Sequence, residues 1–224
     1  MKPPVEIDGL AAAKLPGRPV HLAVGMFDGV HLGHRAVIEA AVQSARAEQG
    51  LGAVLTFWPH PSAILRPEQP TRLIQGAALK TRLLGQLGVE VIITQRFGPE
   101  LAELAAEAFL PWLRRHLPQL RAVYVGENFR FGRGRSGDVA MLVAAARGEG
   151  IHVFSAPRVN LDGEPISSTR IRALLEAGDI AAANAGLGAH YLARGMVMTG
   201  KRLGRTLGFP TLNLGWAPEL RPRY

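Results

Sequence analysis

The alternation of short apolar runs with longer amphipathic stretches constrains the fold of this chain more than any other feature. The apolar runs predict buried strands at residues 20–24, 53–57, 89–94, 122–125 and 151–155. Stretches with helical spacing of apolar residues separate these runs and predict helices at residues 34–49, 77–87, 100–117 and 138–149. Strands that alternate with helices in this way are typical of a parallel sheet, so we predict an α/β fold.

A helical pair is predicted next, at residues 168–177 and 179–187, and the texture of the chain changes after it. From Tyr191 onward, glycines alternate with short apolar stretches, which is typical of β-structure. We therefore predict a domain boundary near Gly188, with one domain at residues 1–187 and a second part at 188–224. A piece of fewer than about 40 residues seldom folds alone. We expect this second part to be an incomplete β-barrel fragment.

Composition narrows the possible chemistry. The 224 residues include no cysteine, which excludes disulfides, thiolate nucleophiles and cysteine-ligated metal sites. The formal net charge of +8 favours anionic partners, but the arginines are dispersed and form no long basic block, so nucleic acid is not expected as a partner. No apolar run is long enough to cross a bilayer, and the N-terminus lacks the pattern of a signal peptide. We therefore expect a cytoplasmic protein without a membrane partner.

The sharpest motif is GMFDGVHLGH, at residues 25–34, between the first predicted strand and the first helix. Ligands of open parallel sheets bind at the carboxyl ends of strands, where helix N-termini attract phosphate. Gly29 and Gly33 would let the backbone approach such a ligand closely. His31 and His34 could both donate hydrogen bonds to a polyphosphate during phosphoryl or nucleotidyl transfer. The alternatives are a turn with two exposed histidines or an incomplete His-x-x-His metal pair.

Two other segments have both a structural and a functional interpretation. ISSTRIR, at residues 166–172, places hydroxyls where a helix begins, with Arg172 one turn beyond Ser168. Ordinary helix capping explains these residues, and an anion clamped by the arginine is the functional alternative. TFWPHP, at residues 56–61, would follow the second strand into the same crevice, where Phe57 or His60 could stack on a flat ring. A rigid surface loop explains the same residues.

Two glycine-rich segments partly match known nucleotide-binding motifs. GENFRFGRGRSGD, at residues 126–138, contains a G-x-G-x-x-G pattern, but it follows a late strand, whereas the dinucleotide motif opens the first βα turn. A flexible basic loop that brings Asn128 and arginines near phosphates fits better. GMVMTGKR, at residues 195–202, nearly matches a P-loop, yet Arg202 replaces the hydroxyl that must bind Mg²⁺.

Taken in order, five segments resemble the bacterial bifunctional riboflavin kinase/FAD synthetases: GMFDGVHLGH, LTFWPHP, VGENFRFGRGRSGD, ISSTRIR and GKRLGRTLGFPTLNL. The resemblance extends over nearly the whole chain. It implies a Rossmann-like nucleotidyltransferase fold with FMN adenylyltransferase activity at residues 1–187, followed by the truncated start of a riboflavin kinase β-barrel at 188–224. The implied reaction transfers AMP from ATP, with Mg²⁺, to FMN and gives FAD and pyrophosphate.

The resemblance also implies roles for individual residues. The expected catalytic residues are His31, His34, Asn128 and Arg172. The expected ATP-binding and flavin-binding residues are Gly25, Phe27, Asp28, Gly33, Ser168 and Thr169 for ATP, and His60, Pro61 and Phe131 for the flavin. In the kinase part, Thr211 and Asn213 match a P-T-A-N signature whose Thr and Asn serve ATP and Mg²⁺.

The chain departs from the family pattern at three places. Trp58 stands where the family usually has an acid, and Leu212 replaces a small alanine. The sequence ends at Tyr224, before the rest of the barrel and its acidic residue, so riboflavin kinase activity is expected to be absent. The unpaired strands of the tail also predict weak self-association.

Two other functions compete with this interpretation. One is a nucleotidyltransferase of the same fold that acts on a different phosphate or alcohol. The other is a non-catalytic, basic nucleic-acid-binding protein, against which the intact His31 and His34 argue.

Overall fold

The computed structural model describes residues 2–200, 208, 209, 211 and 213–215. Its strands are β1 (Val5–Asp8), β2 (Val20–Val24), β3 (Leu51–Trp58), β4 (Val91–Arg96), β5 (Leu120–Gly126), β6 (His152–Ala156), β7 (Asn160–Leu161), β8 (Glu164–Pro165), β9 (Met196–Met198) and β10 (Asn213–Gly215). Its α-helices are α1 (Leu32–Ala47), α2 (Pro61–Leu65), α3 (Ala77–Gln86), α4 (Pro99–Ala102), α5 (Ala106–His116), α6 (Val139–Ala146), α7 (Ser168–Ala177) and α8 (Ile180–Leu187).

Six strands form a parallel sheet in the order β1-β4-β3-β2-β5-β6. The chain runs from β2 through β3 to β4 on one side and then returns to place β5 on the other side of β2. A topological switch point therefore lies at the carboxyl end of β2, where open α/β sheets bind their ligands. The predicted α/β fold with a parallel sheet is confirmed.

Helices cover both faces of the sheet. Successive side chains of β2 point to opposite faces and therefore pack into two separate apolar clusters. Leu22 and Val24 pack with Phe109 and Leu113 of α5 on one face. On the other face, Ala23 packs with α1. All five residues of β2 are buried, as expected for a central strand of a parallel sheet.

The structure corrects several predicted elements. The first helix begins at Leu32 and not at residue 34, because the His31 side chain caps it. The segment predicted as one helix at 100–117 is two, α4 and α5. The sequence interpretation missed β1, a strand of four residues at the edge of the sheet, and the short helix α2.

The chain after α8 turns at Gly188, whose φ of 64° is left-handed and ends the helix. Beyond it, β9 and β10 form an antiparallel ribbon. The boundary at residue 188 and the interpretation of the tail as part of a barrel stay predictions. Lys201, Arg202, Pro210 and Leu212, on which the kinase motifs partly depend, lie outside the described residues.

Candidate functional site

A cavity of about 820 Å³ opens at the carboxyl ends of the strands around the switch point. Its wall includes the ends of β2, β3, β5 and β6 and the start of α7. The predicted site residues that line it are Gly25, His31, Gly33, His34, Pro61, Asn128, Phe131 and Ser168. Segments that are far apart in the sequence therefore meet at one place.

The other predicted site residues do not line this cavity, and Arg172 among them pairs with Asp28. Phe27, in the loop between β2 and α1, is buried, and Asp28 and His60 line a neighbouring cavity of about 20 Å³. Thr169 is exposed and is not part of the wall. Thr211 and Asn213 are exposed residues of the tail.

The loop between β2 and α1 has an unusual backbone. Phe27, Gly29 and Val30 have φ values of 49°, 89° and 42°. Only glycine adopts this left-handed region without strain, and a β-branched residue such as Val30 is a clear outlier there. A conformation of this kind persists only where surrounding contacts hold it in place.

Asp28 is the first point at which the loop is held. Its carboxylate accepts from the amide of Ile74 at 3.0 and 3.1 Å and pairs with Arg172 Nη2 at 2.6 Å. The Ser168 hydroxyl donates to the Asp28 carbonyl at 2.8 Å, and Arg172 Nε donates to the carbonyl of Arg72. The ISSTRIR segment therefore binds the GMFDGVHLGH loop directly, with Ser167 as the N-cap of α7.

Met26 is the second residue through which the loop between β2 and α1 is held in place. Its carbonyl accepts from Thr56 Oγ1 at 3.1 Å and from Lys80 Nζ at 3.3 Å, and Lys80 also donates to Thr56 Oγ1 at 3.0 Å. Burial lowers the pKa of Lys80 to about 8, against the opposing effect of the Asp28 carboxylate. The sequence analysis gave no role to Thr56, the first residue of TFWPHP, or to Lys80. A hydroxyl inside the apolar run of β3 was the signal for Thr56.

The two predicted histidines form a stacked pair. His31 is the N-cap of α1, and its Nδ1 accepts from the amide of His34 at 3.3 Å. The two ring centroids lie 3.6 Å apart, with the planes inclined by 19°, and the His34 ring meets Phe27 edge-on. A Cβ at Gly33 would lie 3.2 Å from His31 Cε1, so a glycine there leaves room for the ring.

Burial keeps both rings neutral near pH 7. It lowers the pKa of His31 to about 4, with a further contribution from the charge of Arg172. The pKa of His34 is lowered well below its usual value by burial first and then by His31, Lys80 and Arg172. A pair of stacked imidazoles in this environment can therefore donate hydrogen bonds without carrying charge.

The hydrogen-bond network also assigns the tautomers. Because His31 Nδ1 accepts a hydrogen bond, its proton belongs on Nε2. His34 Nδ1 is buried without a partner among the described residues, and leaving a nitrogen lone pair unpaired costs less than leaving an N–H unpaired. Both rings are therefore assigned an Nε2–H donor.

The far side of the cavity is aromatic. Phe109 and Phe131 have ring centroids 4.7 Å apart, and Phe129 lies 5.6 Å from Phe131. Phe57 and Phe97 line the same cavity and meet edge-on. Such a wall suits a flat, largely apolar ring system.

Two glycines of the G-x-G-x-x-G pattern, Gly132 and Gly137, allow close packing in this loop. A Cβ at Gly132 would lie 2.6 Å from Ala106 Cα, and a Cβ at Gly137 would lie 2.6 Å from Phe131 Cε2. The loop closes through paired backbone bonds between Phe131 and Gly137. These two glycines therefore let the loop pack closely against Ala106 and Phe131, beside the aromatic wall.

Asn128 lies at the exposed rim of the cavity, among charged residues. Arg158 pairs with Glu127 at 2.9 Å, and Arg130 pairs with Asp138 at 3.1 Å. Arg135 also lines the cavity. The rim therefore offers arginines beside the predicted catalytic amide.

Metal ligands are not clustered at this site. Within the part of the chain that the structure describes, no group of three or more His, Asp or Glu residues could hold a metal ion. The buried carboxylate of the loop, Asp28, is already paired with Arg172. A Mg²⁺ ion here would have to arrive largely with its own ligands, as it does on a nucleotide. No described helix is long and apolar enough to cross a membrane.

Comparison with known families gives two matches along the chain. The model of the FAD synthetase family matches residues 15–170, and the model of the riboflavin kinase family matches residues 187–224.

Curated relatives agree with these matches. A bifunctional riboflavin kinase/FMN adenylyltransferase of Escherichia coli (strain K12) is 34% identical over 202 residues, which are 90% of this chain and 64% of the relative. A protein of the same name from Bacillus subtilis (strain 168) is 38% identical over 196 residues, 87% of this chain and 61% of the relative. The chain thus spans less than two thirds of the length of these relatives.

Two solved structures share the fold. A protein of Streptococcus pneumoniae described as a macrolide-efflux protein superimposes with a TM-score of 0.85 at 28% identity, covering 97% of this chain and 71% of its own. A pantoate-beta-alanine ligase from Francisella tularensis superimposes with a TM-score of 0.53 at 16% identity, covering 81% and 77%. At that identity the second likeness concerns the fold alone.

Proposed function

The chain belongs to the FAD synthetase family, and we propose that it transfers AMP from ATP to FMN, producing FAD and pyrophosphate. One observation carries this proposal. A single cavity joins a loop with two imidazole donors, next to a helix N-terminus, to an aromatic wall. The loop and the helix N-terminus suit a polyphosphate, and the aromatic wall suits a flavin ring.

ATP is assigned to the end of the cavity near the loop. His31 and His34 would donate through Nε2 to the phosphates, and Gly25 and Gly33 leave room for the nucleotide. Ser168, Thr169 and Arg172 are proposed to act at the triphosphate from the start of α7. Arg172 and Ser168 also hold Asp28, so the same side chains fix the loop.

FMN is assigned to the aromatic end. Phe131 and Pro61 line the cavity there, and His60 lies in the smaller cavity beside it. Asn128 is proposed to hold the reacting phosphates at the rim. The ring system would thus be excluded from water while its phosphate points toward the loop.

The proposed chemistry needs no covalent intermediate on the protein. An oxygen of the FMN phosphate forms a bond to the α-phosphorus of ATP. The bond between that phosphorus and the oxygen that bridges to the β-phosphate breaks, and its electron pair leaves with pyrophosphate. Neutral imidazole donors and arginine stabilise the charge that develops on the phosphate oxygens. Mg²⁺, expected with ATP, would neutralise phosphate charge when bound.

We also propose the division at residue 188. Residues 1–187 would form the adenylyltransferase domain, and 188–224 would be part of a riboflavin kinase domain, in which Thr211 and Asn213 would serve ATP and Mg²⁺. The 224-residue chain, assayed alone, is expected to form no FMN from riboflavin. A cytoplasmic location is expected, as is weak self-association through the unpaired edges of the C-terminal strands.

The decisive assay incubates the purified chain with Mg²⁺ and ATP, adding either FMN or riboflavin, and separates the flavins by chromatography. FAD and an equal amount of pyrophosphate should form from FMN. His31→Ala and His34→Ala should each lower the rate at least about 100-fold, the loss typical of removing an oxyanion donor. His152→Ala is the matched control, because His152 is exposed and lies outside the cavity wall.

Absence of FAD from FMN at every ATP concentration would show that the proposal is wrong. Pyrophosphate release with another phosphate or alcohol would then identify a different acceptor on the same fold.

A further inference from the structure

Lys80 lies on α3 beneath the loop between β2 and α1, and no motif of the sequence pointed to it. Its ammonium donates to the Met26 carbonyl at 3.3 Å and to Thr56 Oγ1 at 3.0 Å. Thr56 is completely buried in β3 and itself donates to the same carbonyl. Two side chains from two elements thus donate to a single backbone oxygen.

That oxygen precedes the strained part of the loop. Phe27, the next residue, is left-handed, and so is Val30. Non-glycine residues are strained in this region and remain there only when surrounding contacts over-determine them. The contacts of Met26 hold the start of the loop, while those of Asp28 hold its middle.

We propose that Lys80 is a positioning residue, which clamps the Met26 carbonyl to β3 and thereby holds the loop in the course that turns His31 and His34 into the cavity. The link to catalysis rests on the proposed function. The clamp itself can be measured without any substrate.

The charge of Lys80 matters as well as its hydrogen bonds. The ionisable groups whose charges interact with it are Asp28 in the loop, His34 on α1 and His60 at the start of α2. An ammonium supplies three donors, of which the Met26 carbonyl and Thr56 take two. A methionine would keep the length of the side chain but would lose both the donors and the charge.

The first experiment measures hydrogen exchange of the amides of residues 25–34 in Lys80→Met. Lys14→Met is the matched control, because Lys14 is exposed and its side chain makes no hydrogen bond or ion pair with any described residue. We expect exchange in this loop to be at least about tenfold faster in Lys80→Met, with the amides of β5 unchanged. A rate within twofold of that of Lys14→Met would overturn the proposal.

The unmodified chain gives a second measurement, which does not depend on whether Lys80→Met folds. Burial lowers the pKa of Lys80 to about 8, so between pH 7 and pH 9 its ammonium becomes a neutral amine whose two N–H donors are weaker. Protection of the loop amides, corrected for intrinsic exchange, should therefore decrease over this range. Unchanged protection over this range would count against the clamp.

Kinetics then separate the positioning role from the proposed function. In Lys80→Met, kcat/KM for ATP should fall at least about tenfold while KM for FMN stays within twofold, because the aromatic wall is not held by Lys80. If the unmodified chain forms no FAD but Lys80→Met loosens the loop, the clamp stands and the proposed function fails. If FAD forms and Lys80→Met keeps its ATP kinetics, the positioning role is wrong.

Discussion

Arg172 Nη2 lies 2.6 Å from Asp28 Oδ2 and joins two segments that are 144 positions apart in the sequence. Both side chains are largely buried, with 15% and 4% of their surface exposed. The pair connects the loop after β2 with the start of α7. Its geometry therefore couples the position of the loop to the packing of a distant helix.

Breaking this pair should destabilise the fold. Arg172→Met leaves the Asp28 carboxylate buried without its partner, which costs about 3–5 kcal/mol of unfolding free energy. Denaturant unfolding of Arg172→Met, Asp28→Asn and the double variant measures the coupling. The double variant should recover part of the loss, and strictly additive losses would contradict this coupling.

Acid should destabilise the protein through His31. Its folded-state pKa of about 4 lies below the usual 6.5, so the unfolded chain binds the proton more readily. The free energy of unfolding should be fully retained above pH 6.5 and should decrease by up to about 3 kcal/mol as the pH falls to 4. His31→Gln should make this dependence less steep in denaturant titrations, with the remainder due to the lowered pKa of His34, whereas His152→Gln should leave it unchanged.

Binding of ATP should take up protons. The triphosphate places negative charge beside two imidazoles that are neutral at pH 7, which raises their pKa values. Affinity for ATP should therefore increase as the pH falls from 8 to 6. Calorimetric binding enthalpies in two buffers of different ionisation enthalpy measure the uptake. If the binding enthalpy is equal in both buffers, both for the unmodified chain and for His31→Gln, proton uptake on ATP binding is contradicted.

The glycines of the aromatic wall should differ sharply in their tolerance of a side chain. Gly132→Ala would place Cβ 2.6 Å from the backbone of Ala106, whereas nothing lies within 4 Å of a Cβ at Gly134. Gly134→Ala should therefore lower the free energy of unfolding only by the strain of a left-handed alanine, about 1 kcal/mol. Gly132→Ala should cost more and should weaken FMN binding. Thermal unfolding and FMN titration compare the two variants.

Self-association should depend on β9. Val197 is 66% exposed in a ribbon of two short strands, and unpaired apolar strands favour association. Sedimentation of the chain over a range of concentrations should show weak association that Val197→Lys reduces. A monomer at all concentrations would exclude this contact.

The sequence by itself determined the class of fold and the place of the site. Apolar runs separated by amphipathic stretches predict a parallel sheet, and GMFDGVHLGH predicts the turn that follows β2. These signals are local, because a strand, a helix or a glycine turn depends on residues near one another in the chain. The edge strand β1 could not be predicted from the sequence, because it has only four residues and depends on pairing with β4.

Only the tertiary structure decided how the motifs act on one another. It paired Arg172 with Asp28, stacked His31 on His34, and brought Lys80 to the Met26 carbonyl. Nothing local to α3 distinguishes Lys80 from an ordinary exposed helical lysine, because its burial depends on β3 and on the loop. Long-range contacts of this kind arise when the sheet closes, and they set the charge and the donor direction of the imidazoles.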